Sequence, residues 1–516
     1  MQGQPTTKSA PYETADLQEA TDRAATYAER SAYFAQQRQR YAANYRRSVS
    51  TIVTLLLCAL ACVSLSFTYG PVMLLAALLL TGGAVLTLSR QGGIVQQRDH
   101  ADALAEINKE GPSRLARDWD HLPLRQTAPL DAADELPYAE DLDLVGRASL
   151  LHLLGTANTP GGQTVLRRWL LEPAPPATIR ERQAAVAELA PQIDLRDEIR
   201  ADAHRIAQLQ PTYEPFLRWA ESPGWLLRRP ALTWLSRLLP VLTVGFLLAE
   251  IAGVTLYPIW LGFAGLNWLL TWQAGRRVEE LLDQVSSRQS AFQPYADLFT
   301  LVAAQQLNAP ALRRIQTELA SEGGRAGQQM ARLARLMRFG DLRLSLFFPA
   351  LQFLLLWNFH VLWLLERWKR EAGPSTRAWL ATLSDMEGLV ALATLTYDHP
   401  AWTFPEVMSE RAGDTRPVLV ARGLGHPLLA PAVCVSNDIT LGPAGTFVLV
   451  TGSNMSGKST LLRAIGVNTV LAQAGGPVCA TSLRVWPVAL VTSMRVRDSL
   501  EQGISYFMAE LRRLQL

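Results

Sequence analysis

A mostly α-helical core with two transmembrane helical hairpins, followed by an incomplete C-terminal α/β domain built around a phosphate-binding loop, is the fold class this sequence predicts. Three observations predict it: four apolar runs that come in two pairs, helical texture before, between and after the pairs, and short β-branched runs bounded by Gly and Pro from about residue 417. With 516 residues the chain is long enough for two or three domains and a large buried core, so it is not a small binding module. A hydrophobic fraction of 49% is high for a soluble protein of this size, and the excess is localised in the apolar runs. Formal net charge is only +3, and the basic side is nearly all arginine, the lysines being Lys8, Lys109, Lys369 and Lys458. Cys58, Cys62, Cys434 and Cys479 follow neither a metal-ligand spacing nor a disulfide framework.

Residues 1–48 are expected to hold a cytoplasmic juxtamembrane helix, with Arg and Glu interleaved among Tyr27, Tyr33, Phe34, Tyr41 and Tyr45. Such a helix suits anionic lipid or plain solvent. The first hairpin, 49–90, consists of "TIVTLLLCALACVSLSF" and "VMLLAALLLTGGAVLTL" around the turn "TYGP". Each run is about long enough to cross ~30 Å of hydrocarbon. Helices resume over 100–230, punctuated by "TANTPGGQT" and "EPAPPAT". The second hairpin, 231–273, has runs Leu232 to Ala249 and Val254 to Trp272, with Trp234, Tyr257, Trp260, Trp268 and Trp272 as interfacial rings. Arginines flank both hairpins: Arg38, Arg40, Arg46 and Arg47 before the first, Arg90 and Arg98 after it, Arg228 and Arg229 before the second, Arg276 and Arg277 after it. Both hairpins are therefore expected to keep their ends in the cytoplasm, which makes the chain an integral membrane protein. The competing reading of each pair is a set of buried helices in a soluble core. Core helices continue over 278–400, and the apolar stretch Leu344 to Leu365 reads as a buried cytoplasmic helix in which His360 is a core histidine.

The last domain, 417–516, carries "GSNMSGKS", which fits G-x-x-x-x-G-K-[ST]. Glycines let the backbone curl so that successive N–H groups face phosphate oxygens beside the positive end of the following helix. Gly452, Ser453, Asn454, Met455, Ser456, Gly457, Lys458, Ser459 and Thr460 are the expected ATP-binding residues; Lys458 would bridge the β and γ phosphates and Ser459 would ligate Mg²⁺. "FVLV", Phe447 to Val450, is expected to be the buried strand leading into the loop, with Thr451 at its end. Downstream of Lys458 the acids are Asp498, Glu501 and Glu510, and none ends an apolar strand. No catalytic residue is therefore assigned, because the Asp-Glu strand that would hold the metal shell and position water is missing.

"TGSNMSGKSTLLR" resembles the phosphate loop of the MutS family of DNA mismatch-repair ATPases. "GHPLL" (Gly425 to Leu429) with "NDITL" (Asn437 to Leu441) is similar to that family's strand entry, and "DSLEQGISYFMAEL" (Asp498 to Leu511) to its counterpart of the ABC signature. Leu142 to Pro173, with its "T-P-x-G" turn and "L-x-x-W-L-x-x-P" helix, resembles the family's helical core. The mismatch-reading N-terminal domain has no room here, Phe404 to Glu406 being a chance Phe-x-Glu, and "VCVS" at Cys434 stands where many relatives carry an adenine-stacking aromatic.

The resemblance implies an ABC-type ATPase working as a homodimer, with Gly503 and Ser505 reaching the partner's γ phosphate. A plain capping role for Ser505 is the competing reading. It also implies ATP and Mg²⁺ as cofactors, and DNA as a partner beside membrane lipid. Arginines such as Arg167, Arg168, Arg180, Arg182, Arg313, Arg314, Arg332, Arg335 and Arg338 are candidates for phosphate neutralisation, and equally suit solvated helix faces. The expectation is a membrane-anchored, C-terminally truncated MutS-like protein that binds ATP with little or no turnover. A non-catalytic membrane scaffold or degenerate ATPase is the alternative. An ABC-type transporter fits less well, for want of an "LSGGQ"-like signature and about six long spans.

Overall fold

The computed structural model describes residues 14–125, 137–209, 212–286, 292–320, 326–344, 348–408 and 416–494. Two helices open it: α1 (Thr14–Tyr69) and α2 (Val72–Ala116), an antiparallel pair that turns at Gly70 (φ 85°) and Pro71. No Gly or Pro falls within α1, so nothing interrupts it where a boundary at 48 was expected. Toward the turn the pair is bare: Phe67, Leu78 and Leu79 are 90%, 68% and 77% exposed.

The far end of the pair is docked, which corrects the expectation of a lipid-lying or solvated helix. Tyr27 is fully buried and its hydroxyl donates to Asp398 Oδ1 at 2.8 Å, while Arg114 Nε donates to Asp398 Oδ2 at 2.5 Å. Arg30 pairs with Asp194 and Asp197 at 2.8 and 2.9 Å, and Asn108 Nδ2 also donates to Asp197. Gly111 is required beneath Tyr27, because a Cβ there would stand 2.3 Å from the ring. Local sequence shows only a basic, aromatic helix; its acidic partners lie more than 160 residues away.

The core holds α3 (Pro137–Asp141), α4 (Leu150–Leu153), α5 (Pro160–Leu171), α6 (Pro176–Leu189), α7 (Ile193–Leu209) and α8 (Glu214–Glu221). In the "TANTPGGQT" turn Thr159 caps α5 by accepting from Gly162 N, and Pro160 occupies the first turn. A second helix pair, α9 (Pro230–Ile251) and α10 (Trp260–Ser286), follows. The core then resumes with α11 (Phe292–Ala304), α12 (Pro310–Ala320), α13 (Ala326–Gly340), α14 (Phe348–Leu355) and α15 (Trp357–Asp398). Glu387 of α15 receives the N–H groups of Asn158 and Thr159 at 2.8 and 3.1 Å and the Thr159 hydroxyl, so one buried acid ties the α5 turn to the long helix. Burial pushes that carboxyl up to about 7.

Four helices among the described residues are long and apolar enough to cross a membrane: α1, α2, α9 and α15. The apolar window of α15 is 83% buried, as a core helix requires, against 11% for α1 and α2 and 22% for α9. The Leu344 to Leu365 stretch is not one helix, however. It breaks at Leu356, which is buried with φ 49°. Side chains take up the freed backbone groups: Asn267 Nδ2 donates to the Phe353 and Leu354 carbonyls at 3.0 and 3.3 Å, and Gln352 Oε1 accepts from Asn358 N at 3.0 Å.

A four-stranded sheet ends the described chain, in the order β1 (Glu406–Val407), β4 (Ser482–Val485), β2 (Leu419–Leu424), β3 (Asn437–Leu441). β1 runs parallel to β4, and β2 lies antiparallel to both β4 and β3. The sheet thus begins at Glu406 rather than near 417, since a two-residue strand leaves no periodic trace in sequence. Glu406 itself pairs with Arg484 at 2.7 Å, a structural use of the Phe-x-Glu segment. The helix α16 (Lys458–Ala474) packs against α5 and α6.

Candidate nucleotide-binding site

Local chemistry shapes the loop before α16. Gly457 (φ 88°) and Met455 (φ 64°) hold left-handed conformations, and Ser456 N donates to Ser453 O at 3.3 Å, closing a tight turn. Lys458 folds back over this turn, its Nζ donating to the carbonyls of Gly452 at 2.8 Å and Ser453 at 2.6 Å. Gly452, Ser453, Asn454, Met455, Ser456, Gly457, Ser459 and Thr460 are exposed. No side chain caps α16, so the first-turn N–H groups are open at the positive end of a 17-residue helix. A curled loop, an ammonium group and an open helix N-terminus together suit a polyphosphate.

The helix behind the loop is fixed by the core. Gly466 packs under Leu142, where a Cβ would come within 2.5 Å of the leucine side chain, and Arg463 pairs with Asp143 at 3.4 Å. Asp141 Oδ2 accepts from Thr492 Oγ1 at 2.7 Å and Met494 N at 3.0 Å. At mid-helix Asn468 Nδ2 donates to Gly425 O and its Oδ1 accepts from Cys479 N, joining α16 to the "GHPLL" element and to the segment entering β4. The only hint of this staple in sequence is an Asn inside the apolar run "AIGVNTVLA".

His426 is buried, its Nδ1 accepting from Leu428 N at 3.2 Å, and burial with the nearby Arg463 charge brings it down to about 4. It is a neutral structural acceptor at physiological pH. The next carbonyl, Pro427 O, accepts from Arg117 Nε at 3.1 Å and Nη2 at 2.8 Å. Arg117 is the left-handed C-cap of α2, so the opening helix pair ends directly on this element. Sequence reading missed Arg117, Asn468, Asp141 and Asp143, since each acts through a long-range contact.

Phe447–Val450 does not form the expected buried strand. Phe447 and Leu449 are 88% and 77% exposed, and the segment has no ladder partner among the described residues. A β-branched run without a neighbouring strand lacks the hydrogen bonds that define the element. Cys434 points into the interior, leaving Val433 and Val435 exposed beside it, and no aromatic ring. Gly503 and Ser505 lie outside the described residues. Several candidate DNA-binding arginines are engaged within the chain: Arg314 with Glu181, Arg332 with Glu371, and Arg182 with the Trp169 face and Ala474 O.

Comparison with known proteins matches two separate segments. The family model of MutS domain III fits residues 135–221, and that of MutS domain V fits residues 448–515. Over 143 residues the chain is 34% identical to DNA mismatch repair protein MSH6 of Arabidopsis thaliana, covering 26% of this chain and 11% of that protein. It is 35% identical over 137 residues to DNA mismatch repair protein MutS of Thermotoga maritima, covering 26% and 16%. It is 35% identical over 134 residues to the mitochondrial DNA mismatch repair protein mutS homolog of Sarcophyton glaucum, covering 25% and 13%. The chain therefore spans between 11% and 16% of these relatives' length. Domain III covers the α5 turn and the helices around it and domain V covers the loop and α16, so these are the two segments in which the chain is similar to MutS proteins.

Proposed function

We propose that this chain is a membrane-anchored, ATP-binding protein of the mismatch-repair type. ATP with Mg²⁺ occupies Gly452–Thr460, with Lys458 on the β and γ phosphates and Ser459 on the metal. The observation that carries the reading is Lys458 Nζ resting on the Gly452 and Ser453 carbonyls beside an uncapped helix, a geometry in which phosphate oxygens replace those carbonyls as partners. Exposure of the α1–α2 and α9–α10 tips supports integral membrane anchoring with lipid as the surrounding partner, both hairpins entering from the cytoplasm. DNA is the proposed partner because the relatives are DNA mismatch repair proteins, and a homodimer would bring Gly503 and Ser505 of a second copy to the site.

A fluorescent ATP analogue titrated against the full chain in lipid nanodiscs tests the nucleotide reading. Lys458→Ala is expected to weaken binding at least tenfold, and equal affinity in the variant overturns the assignment. DNA binding that falls steeply with added salt supports the nucleic-acid half, and absence of binding to single-stranded, duplex and branched DNA at low salt removes it. A membrane scaffold that binds no nucleotide is the second reading, favoured by the exposed Phe447–Val450 segment; the same titration separates the two.

A further inference from the structure

Cys434 and Cys479 are 45 positions apart in sequence, and both are buried, at 1% and 4% exposure, and neither is in a disulfide. They meet across Gly425. A Cβ at that glycine would stand 2.7 Å from the Cys434 sulfur and 2.8 Å from that of Cys479, so the two sulfurs lie no more than 5.5 Å apart. The backbone around them is fixed: Gly425 N donates to Cys479 O at 2.8 Å, and Asn468 holds both Gly425 O and Cys479 N. His426 N donates to Cys434 Sγ at 3.3 Å, a contact that favours the anionic sulfur. A hydrogen bond from Cys479 and that N–H bring the Cys434 thiol down to about 7 against the opposing effect of burial. Two small apolar side chains would fill this space equally well, but would supply neither the paired thiols nor an acceptor for the His426 N–H.

We propose that Cys434 and Cys479 form a dithiol–disulfide modification site, oxidised by hydrogen peroxide, that ties the residue closing the Pro431–Val433 turn to the segment entering β4. The Cys434 thiolate attacks one peroxide oxygen, the O–O bond breaks, and the departing hydroxide takes a proton to leave as water. Cys479 then attacks the resulting sulfenic sulfur; the S–S bond forms, the S–O bond breaks, and a second water leaves. The two sulfurs supply the two electrons that reduce the peroxide. Arg117 of α2 ends on Pro427, seven positions before Cys434, so the same bond shortens the free chain beside the junction between the opening helix pair and the α16 unit.

The full chain in nanodiscs is treated with hydrogen peroxide, its remaining thiols are alkylated, and it is digested without reduction for mass spectrometry. One cross-linked peptide pair joining Cys434 to Cys479 is expected at close to one per chain, reversed by dithiothreitol. In Cys479→Ser, Cys434 is expected to accumulate as a sulfenic acid trapped by dimedone. Two thiols that stay fully alkylatable, or a Cys434 that advances to the sulfinic acid without cross-linking in the unaltered chain, overturn the proposal.

Discussion

Replacing Asp398 by Asn tests the junction on which the opening helix pair depends. The carboxylate sits at the end of α15, fully buried, and receives Tyr27 Oη and Arg114 Nε from the two helices of the pair. Asn keeps the shape and one acceptor but removes the charge. Arg114, 2% exposed at its side chain, is left as a buried cation without its counter-ion. Breaking a buried pair in this one-sided way costs about 3–5 kcal/mol. At about 1.4 kcal/mol per tenfold, the population with this end of the pair undocked rises by about two to three and a half orders of magnitude. Hydrogen exchange read by mass spectrometry measures this directly, since amides around Tyr27 and Arg114 exchange through that opening. The double variant Asp398→Leu with Arg114→Met is expected to recover much of the loss, because neither charge is then stranded. Exchange in Asp398→Asn within threefold of the parent refutes the reasoning.

Two further outcomes follow from named contacts. Gly373→Ala is expected to destabilise by about 1–3 kcal/mol despite alanine's better helix propensity, because its Cβ would come within 2.4 Å of the Ala220 carbonyl oxygen; urea unfolding followed by tryptophan fluorescence checks the sign. His100 is held up to about 9 by Asp202 and Glu198, so its contribution, at most about 3 kcal/mol, is fully present below its ordinary value near 6.5 and is lost as pH rises toward 9. Stability profiles of the parent and His100→Gln should therefore converge at alkaline pH, and a constant gap across that window refutes the assignment.

Periodicity and turn residues made the helical majority legible, because "TYGP", "TPGG" and the apolar runs are local signals. The tight turn before α16 was legible for the same reason: the left-handed Gly457 and Lys458, which folds back onto the Gly452 carbonyl, lie within eight residues. Long-range electrostatics was not. Arg30, Arg114 and Arg117 carry no local signal of a role, and only their partners Asp197, Asp398 and Pro427 O, distant in sequence, show that they fasten the pair to the core. The break at Leu356 escaped detection because it contains neither Gly nor Pro and is stabilised by Asn267, nearly ninety positions earlier. Phe447–Val450 shows the converse, a strand-forming composition with no strand paired to it among the described residues.

The 56 uninterrupted residues of α1 make a rod about 84 Å long at 1.5 Å per residue. One end is clamped by Tyr27 and Arg30 and the other carries the bare Phe67 tip. The residues from Tyr27 to Phe67 span about 60 Å, so with no hinge between them a tilt of about 5° at the clamp sweeps the tip sideways by about 5 Å, close to one helical turn. Small angular changes among the core helices are thereby geared up into large excursions at the apolar end, and a force on that end is delivered, with the same leverage, to the Asp398 and Pro427 contacts.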